Sequence, residues 1–262
     1  MKIGICMKQV PASDTRLKIV NNKVALEDAK WEISPYDEFA LERALVAKDE
    51  GVAKEVVLVT VAGADADGRL REALARGADR GVRLDDTAFQ GSDSLGIARV
   101  LAAGIKAEAF DLVLMGKQAI DDDEAQVPAM VAELLGWPQV TVVDKLEVKD
   151  GAFKAWRRAS GGTREIVEGK LPAVISCEKG IVEKIRYSSL KGIMLAKSKK
   201  IAVQNAAGLG IDPATVGAGA ALVTNDAYSL PPARPSGRIL EGDSATRVKE
   251  LVRLLRQEAK VI

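Results

Sequence analysis

The sequence predicts an α/β fold in which a mostly parallel sheet carries helices on both faces. Through about residue 145, short apolar runs alternate with segments of helical periodicity. The run EVVLVTV (55–61) is apolar almost throughout, as strands covered on both faces are. After residue 145 the texture changes, which predicts β-hairpin strands added to the core and then an extended C-terminal arm ending in a helix.

In chain order, KIGICM (2–7) reads as the first strand. Ser34 is placed to N-cap a helix with Pro35 at its first position and Gly51 beyond its end. EVVLVTV leads through AGADADG into a helix reaching about Arg76, and GVRL (81–84) is a short strand. SDSLGIARVLAAGIKAEA (92–109) is a helix capped at Ser92 or Ser94, followed by the strand DLVLM (111–115). The stretch 116-GKQAIDDDEAQVPAM-130 then opens a helix with Val127, Met130, Val131, Leu134 and Leu135 on one face, ended by Gly136 and Pro138. QVTVV (139–143) is a further strand. KLEVKDGAFKAWRR reads as a hairpin turning at Asp150-Gly151, and GGTREIVEG and LPAVISC add strands.

From 201 to 242 the chain is rich in Ala, Gly and Pro with little periodicity, too long for an ordinary loop, and reads as an arm. It ends in SATRVKELVRLLRQEAKVI (244–262), whose Val248, Leu251, Val252 and Leu255 form one stripe. The division expected is an α/β domain over 1–201 and an arm over 202–262 that wraps something else.

Composition narrows the chemistry. Lys and Arg number 38 against 37 Asp and Glu, so no global field draws the chain to nucleic acid. No apolar run reaches the ~18 residues of a membrane span, and MKIGICMKQV lacks a signal-peptide layout. Cys6 and Cys177 lie in apolar strand-like runs and read as buried thiols of a reducing, cytoplasmic compartment. The absence of histidine removes imidazole acid–base catalysis, Ser-His and Cys-His nucleophiles and most zinc sites. Aromatics at 4% disfavour base-stacking platforms as well. Binding is favoured over catalysis.

In sheets of this kind, ligands collect at the carboxyl ends of strands near the switch point, here segments 6–9, 34–37, 61–64 and 116–127. The four acids Asp121, Asp122, Asp123 and Glu124 admit three readings. They complement a helix dipole, each for about 0.3–1 kcal/mol; two of them share a Mg²⁺ ion; or the backbone amides of the strand-to-helix turn bind a phosphate while the acid side chains face solvent or pair with Lys8 or Lys117. The segment 184-KIRYSSLKGIMLAKSKK-200 carries six basic residues and no acid. Its interleaved Leu190, Ile193, Met194 and Leu195 suit a docking surface for acidic partners.

The strand and loop DLVLMGKQAIDDDEAQVPAM, the adjoining LLGWPQVT, the N-terminal KQV with SPYDEFALERAL, and LPAVISCEKGIVEKIRYSSLKGIMLAKSKKI resemble the β subunit of electron-transfer flavoprotein. The resemblance runs from about residue 2 to 201. It implies a Rossmann-like domain of the adenine-nucleotide-binding type holding AMP, and an arm embracing an α subunit that holds most of the FAD. It also implies single-electron transfer from acyl-CoA dehydrogenases and related flavoenzymes to a quinone-linked acceptor; the chain is then an electron-carrier subunit and not itself an enzyme. The implied AMP pocket comprises Cys6, Met7 and Lys8; Ser34, Pro35, Tyr36 and Asp37; Val61; and the loop Gly116 to Val127 with Gln118, Asp121, Asp122, Asp123, Glu124, Ala125 and Gln126. There the main-chain amides of 123–127 cup the phosphate, and Tyr36 also lies near the flavin ring. Leu190 is the implied anchor of donor docking, with Arg186, Tyr187, Ile193 and Met194 around it. Two departures stand out: Lys191-Gly192 replaces the expected Pro-Asn-like pair, and Arg158 stands where an acid that pairs with α is expected. Two other readings remain: a bifurcating variant with a second FAD in place of AMP, and an ATP-binding hydrolase or stress-type nucleotide-binding protein.

Overall fold

In the computed structural model, which describes every residue except Pro235, the alternation of apolar runs and helices builds one large sheet. Its strands among the described residues are β1 (Lys2–Cys6), β6 (Glu55–Val61), β7 (Arg80–Leu84), β8 (Leu112–Gly116), β9 (Gln139–Lys149), β10 (Ala152–Arg158), β11 (Arg164–Lys170), β12 (Ala173–Cys177) and β13 (Ile201–Gln204). They lie in the order β11-β10-β9-β12-β8-β1-β6-β7-β13. The strands from β9 to β13 in that order pair parallel, and β10 pairs antiparallel with both β9 and β11. β1 is central. From it the chain moves outward on one side to β6 and β7 and later returns to the other side as β8, so the switch point lies between β1 and β8.

The strand pattern explains the layering. Ile3 and Ile5, Val56 and Leu58, and Leu112 and Leu114 point to one face, where they pack with Leu41 and Leu45 of α1 (Pro35–Asp49) and Leu70 and Leu74 of α2 (Asp67–Arg76). Their alternates Cys6, Val57, Val59, Val113 and Met115 point to the other, against Leu101 and Ile105 of α3 (Ser94–Glu108) and Val131 of α4 (Val127–Leu135). Leu58 has no exposure at all, and truncating it to Ala would cost about 2–5 kcal/mol in transfer and cavity terms.

Several expectations need correction. Residues 9–33 form two small antiparallel pairs, β2 (Gln9–Pro11) with β5 (Trp31–Ile33) and β3 (Lys18–Val20) with β4 (Lys23–Ala25). The N-cap of α3 is Asp93, whose Oδ1 accepts from the Gly96 amide, and not Ser92 or Ser94. Ser34 occupies the N-cap position of α1 but makes no side-chain cap; its hydroxyl is buried without a partner. Helix α4 begins only at Val127, so the four acids lie in an irregular loop before it rather than in its first turn. Within the basic segment sits a short helix, α5 (Leu190–Ala196).

Beyond the expected boundary at 201–202 the chain stays fastened to the domain for some length. β13 joins the sheet beside β7. One helical turn, α6 (Ala206–Leu209), follows, held by the Ala206 amide on Asp86 Oδ2 at 3.0 Å. Arg99 holds the Thr215 carbonyl at 2.6 Å, and the Gly217 amide donates to Ser92 Oγ at 2.7 Å. The last fastening before the polar stretch is the Tyr228 amide on the Asn22 carbonyl at 3.0 Å. The terminal helix α7 (Ser244–Gln257) buries none of its residues on this chain, although it carries the predicted apolar stripe.

Candidate functional site

A cavity of about 600 Å³ opens at the switch point, within the size range of small-molecule pockets. Its walls are the carboxyl ends of three neighbouring strands: Cys6, Met7 and Lys8 after β1, Val61 at the end of β6, and Met115 and Gly116 of β8. Gln118, Asp121, Asp122, Glu124, Ala125, Gln126 and Val127 of the following loop close one side, with Asp37 from α1 at the floor.

Asp37 ties this corner together. Its Oδ2 accepts from the Lys8 amide and its Oδ1 from the Gly116 amide, each at 2.8 Å. Burial pushes the carboxyl up to about 7, against the pull of those amide hydrogen bonds and of the Lys8 charge. Gly116 must be glycine, since a Cβ there would fall 2.5 Å from Asp37 Oδ1 and 2.8 Å from Tyr36 Cβ. Cys6 and Cys177 are free and buried, and burial raises both thiols well above the ordinary cysteine range, so neither is a poised nucleophile.

Each of the four acids has a partner. Lys8 Nζ lies 2.8 Å from Asp121 and 2.7 Å from Asp122. Burial works against the Lys8 charge, yet its hydrogen bonds to the two aspartates outweigh that and hold its pKa above the usual lysine value. Asp123 accepts from the Gln118 amide group, and Glu124 accepts from the Ser94 hydroxyl. Two of the acids thus hold Lys8 across the cavity mouth instead of facing outward, and Lys8 is not a free phosphate lysine. Among the described residues, no group of three or more carboxylate, thiol or imidazole side chains is arranged to hold a metal ion.

The backbone of the same loop is under conformational constraint. Asp123 and Ala125 hold φ values of 52° and 56°, left-handed for non-glycine residues. Left-handed residues alternating with ordinary ones form the type of turn in which successive amides can share one anion. The Asp123 amide is already bonded to the Ala119 carbonyl, and the Glu124 amide to Asp122 Oδ1. The amides of Ala125, Gln126 and Val127 have no acceptor among the described residues, and the N-terminus of α4 has no side-chain cap. Of the expected amides 123–127, those of 125–127 therefore remain free.

Not every expected residue reaches the cavity. Ser34, Pro35, Tyr36 and Asp123 do not line it. The Tyr36 ring lies instead beside Lys117 and Lys179, whose Nζ atoms are 4.8 and 5.9 Å from its centroid. A hydrogen bond from Lys117 to Glu178 at 2.7 Å holds the Lys117 pKa above its ordinary value. Conversely, the cavity includes residues that sequence reasoning missed: Asp93 and Ser94, and Val223, Thr224, Asn225 and Tyr228 of the chain beyond β13. Asp93 holds that segment, accepting from the Leu222 amide at 2.7 Å and the Val223 amide at 3.3 Å. The Gly96 amide, then the Leu222 and Val223 amides, keep its carboxyl below the usual range. The S-D-S triplet pointed to a cap at this place; nothing local pointed to residues 223–228.

The basic segment forms a separate apolar knob. Tyr187 and Leu190 are 97% and 83% exposed, with Met194 and Ile193 also exposed on α5. Arg186 is not part of that surface: it turns back to Glu42 and Asp49, both at 2.8 Å. Arg158 finds its counter-charge within the chain, lying 3.3 Å from the buried Asp144, which Arg164 also approaches at 2.8 Å.

Fold and site together define a doubly wound α/β protein with a cavity of small-molecule size at its switch point and apolar surfaces that its own chain leaves uncovered. A family model described as electron transfer flavoprotein domain matches residues 22–209. The whole chain is 37% identical to the electron transfer flavoprotein subunit beta of Syntrophomonas wolfei, covering 98% of that protein. It is 36% identical to the subunit of the same name from Bacillus subtilis over the full length of both. It is also 36% identical, over 95% of each chain, to the caffeyl-CoA reductase-Etf complex subunit CarD of Acetobacterium woodii. This chain belongs to the electron transfer flavoprotein family, as a β subunit.

Proposed function

We propose that this chain pairs with an α subunit to form a carrier of single electrons from acyl-CoA dehydrogenase-type flavoenzymes to a quinone-linked acceptor. It binds AMP in the switch-point cavity, and the α subunit holds most of the FAD. The chain performs no chemistry of its own; the flavin, when bound, accepts and donates the electrons. The observation that carries the nucleotide reading is the set of unpartnered amides at 125–127, beside an uncapped helix N-terminus, in a cavity of nucleotide size. Pairing of Asp121 and Asp122 with Lys8 reduces the repulsion a phosphate would meet there. Gly116, lacking a Cβ, leaves Asp37 in place at the floor.

AMP here is structural: a ligand bound only by the folded chain stabilises it by mass action. Tyr36, with Lys117 and Lys179, is the contact to the flavin on the partner side. The exposed Leu190, with Tyr187, Ile193 and Met194, is the donor-docking surface, and the arm beyond Tyr228 with α7 embraces α. The carrier works in the cytoplasm, a reducing compartment suited to its two free, buried thiols. Among the described residues, no helix is long and apolar enough to cross a membrane.

Two experiments test this. Mass spectrometry of small molecules released from the purified heterodimer should find AMP and FAD in equal amounts. Leu190→Ala should weaken electron transfer from the dehydrogenase with FAD content unchanged; wild-type transfer kinetics in that variant would remove the docking role. A second reading, a bifurcating protein with a second FAD in the cavity, is favoured by the similarity to a subunit of a reductase-Etf complex. Two flavins per heterodimer, with no AMP, would establish it in place of the first.

A further inference from the structure

The apolar knob is fixed to the domain at three places. At its base, the Arg186 amide donates to Glu42 Oε2 at 3.1 Å, and Arg186 Nε donates to the same carboxylate at 2.8 Å. Arg186 Nη2 reaches Asp49 at 2.8 Å. Glu42 is 4% exposed, so its pairing with Arg186 is a multidentate, largely desolvated contact rather than a loose surface ion pair. At the far end, Arg71 of α2 donates to the carbonyls of Ala196, at 2.6 Å, and Lys199. Lys199 Nζ in turn donates to the carbonyls of Leu74, at 3.0 Å, and Ala78, placing a cation at the carboxyl end of α2.

Between these ends, α5 lies directly on α2. The two helices approach closely at Gly192, where a Cβ would run into the backbone carbonyl oxygen of Ala75. A backbone atom cannot swing aside as a long side chain can, so any larger residue must lift α5. Residues 192 and 196 lie one turn apart on the seated face, and Ala196 is buried. Leu190 and Met194, one turn apart on the other face, are 83% and 73% exposed.

We infer that Gly192 and the Glu42–Arg186 pair are positioning residues that pre-form the knob, so that Leu190 and Met194 stand in docking geometry before any donor arrives. Such preorganisation raises affinity by removing the ordering that binding would otherwise require. Gly192 thus replaces rigidity from within the loop by rigidity drawn from its seat on α2. The inference rests on the reading of this segment as the donor-docking surface.

The test uses the α–β heterodimer with FAD bound and compares wild type, Gly192→Ala and Glu42→Gln, which perturb the middle and the base of the knob. Limited trypsin digestion reads the seating directly, through cleavage after Lys191 and Lys197. Steady-state kinetics with an acyl-CoA dehydrogenase as donor reads the consequence. Both variants should be cut about tenfold faster at those lysines, and the KM for the carrier should rise about five- to tenfold with kcat and FAD content unchanged. A general structural defect would instead lower FAD content and kcat together, which would overturn the inference. Wild-type cleavage rates in both variants would also overturn it. Faster cleavage with an unchanged KM would bear out the seating contacts but sink the docking role on which the inference depends.

Discussion

Gly116 donates its amide to Asp37 Oδ1 at 2.8 Å, and a side chain at position 116 would occupy the place of that same oxygen. With the Lys8 amide on Oδ2, a single carboxylate at the start of α1 joins the ends of β1 and β8, the two strands that flank the switch point. The floor of the cavity is a consequence of this contact, and its dimensions leave no slack.

Replacing Gly116 by Ala should therefore displace Asp37 and strain both strand ends. Overpacking of this kind costs about 1–3 kcal/mol. Chemical denaturation should show that loss, and the purified variant should carry no nucleotide. Full stability with bound nucleotide would mean that the floor can rearrange.

Asp37 also gives the fold a pH dependence. Its carboxyl has a pKa of about 7 when folded, against an ordinary value of 3.8. The folded state thus binds the proton more tightly than the unfolded chain does. The resulting stabilisation is complete below pH 3.8 and is lost as pH rises through about 7, a change on the order of 4 kcal/mol. An amide in place of this carboxyl cannot ionise, so the stability of Asp37→Asn relative to wild type should rise between about pH 5 and pH 8 in urea denaturation of the nucleotide-free protein. A difference that stays flat across that range would contradict the assignment.

The fastening of residues 202–228 to the domain predicts two distinct truncation phenotypes. The cavity wall ends at Tyr228, and no residue of α7 is fully buried on its own chain. A chain stopped after Leu230 should keep its thermal stability and bound nucleotide while failing to co-purify with α. A chain stopped after Ala221 loses Val223 to Tyr228 and should lose the nucleotide as well. Equal nucleotide retention in the two truncations would show that residues 222–228 do not close the cavity.

The sequence by itself determined the alternation of strands and helices, the parallel core, the hairpin at Asp150-Gly151 and the side of the sheet where the cavity opens. These follow from periodicity, turn chemistry and handed connections, all of which act over a few residues. The tertiary structure alone decided that β12 inserts between β8 and β9, that β13 closes the sheet edge, and that Val223 to Tyr228 return to wall the cavity. It also decided which amides stay free, because Asp123 and Glu124 bond theirs to neighbours in a loop whose left-handed residues no local preference announced. Hydrogen bonds between segments far apart in the chain depend on the whole packed arrangement. The residues at either end carry no local mark of the partner they will meet.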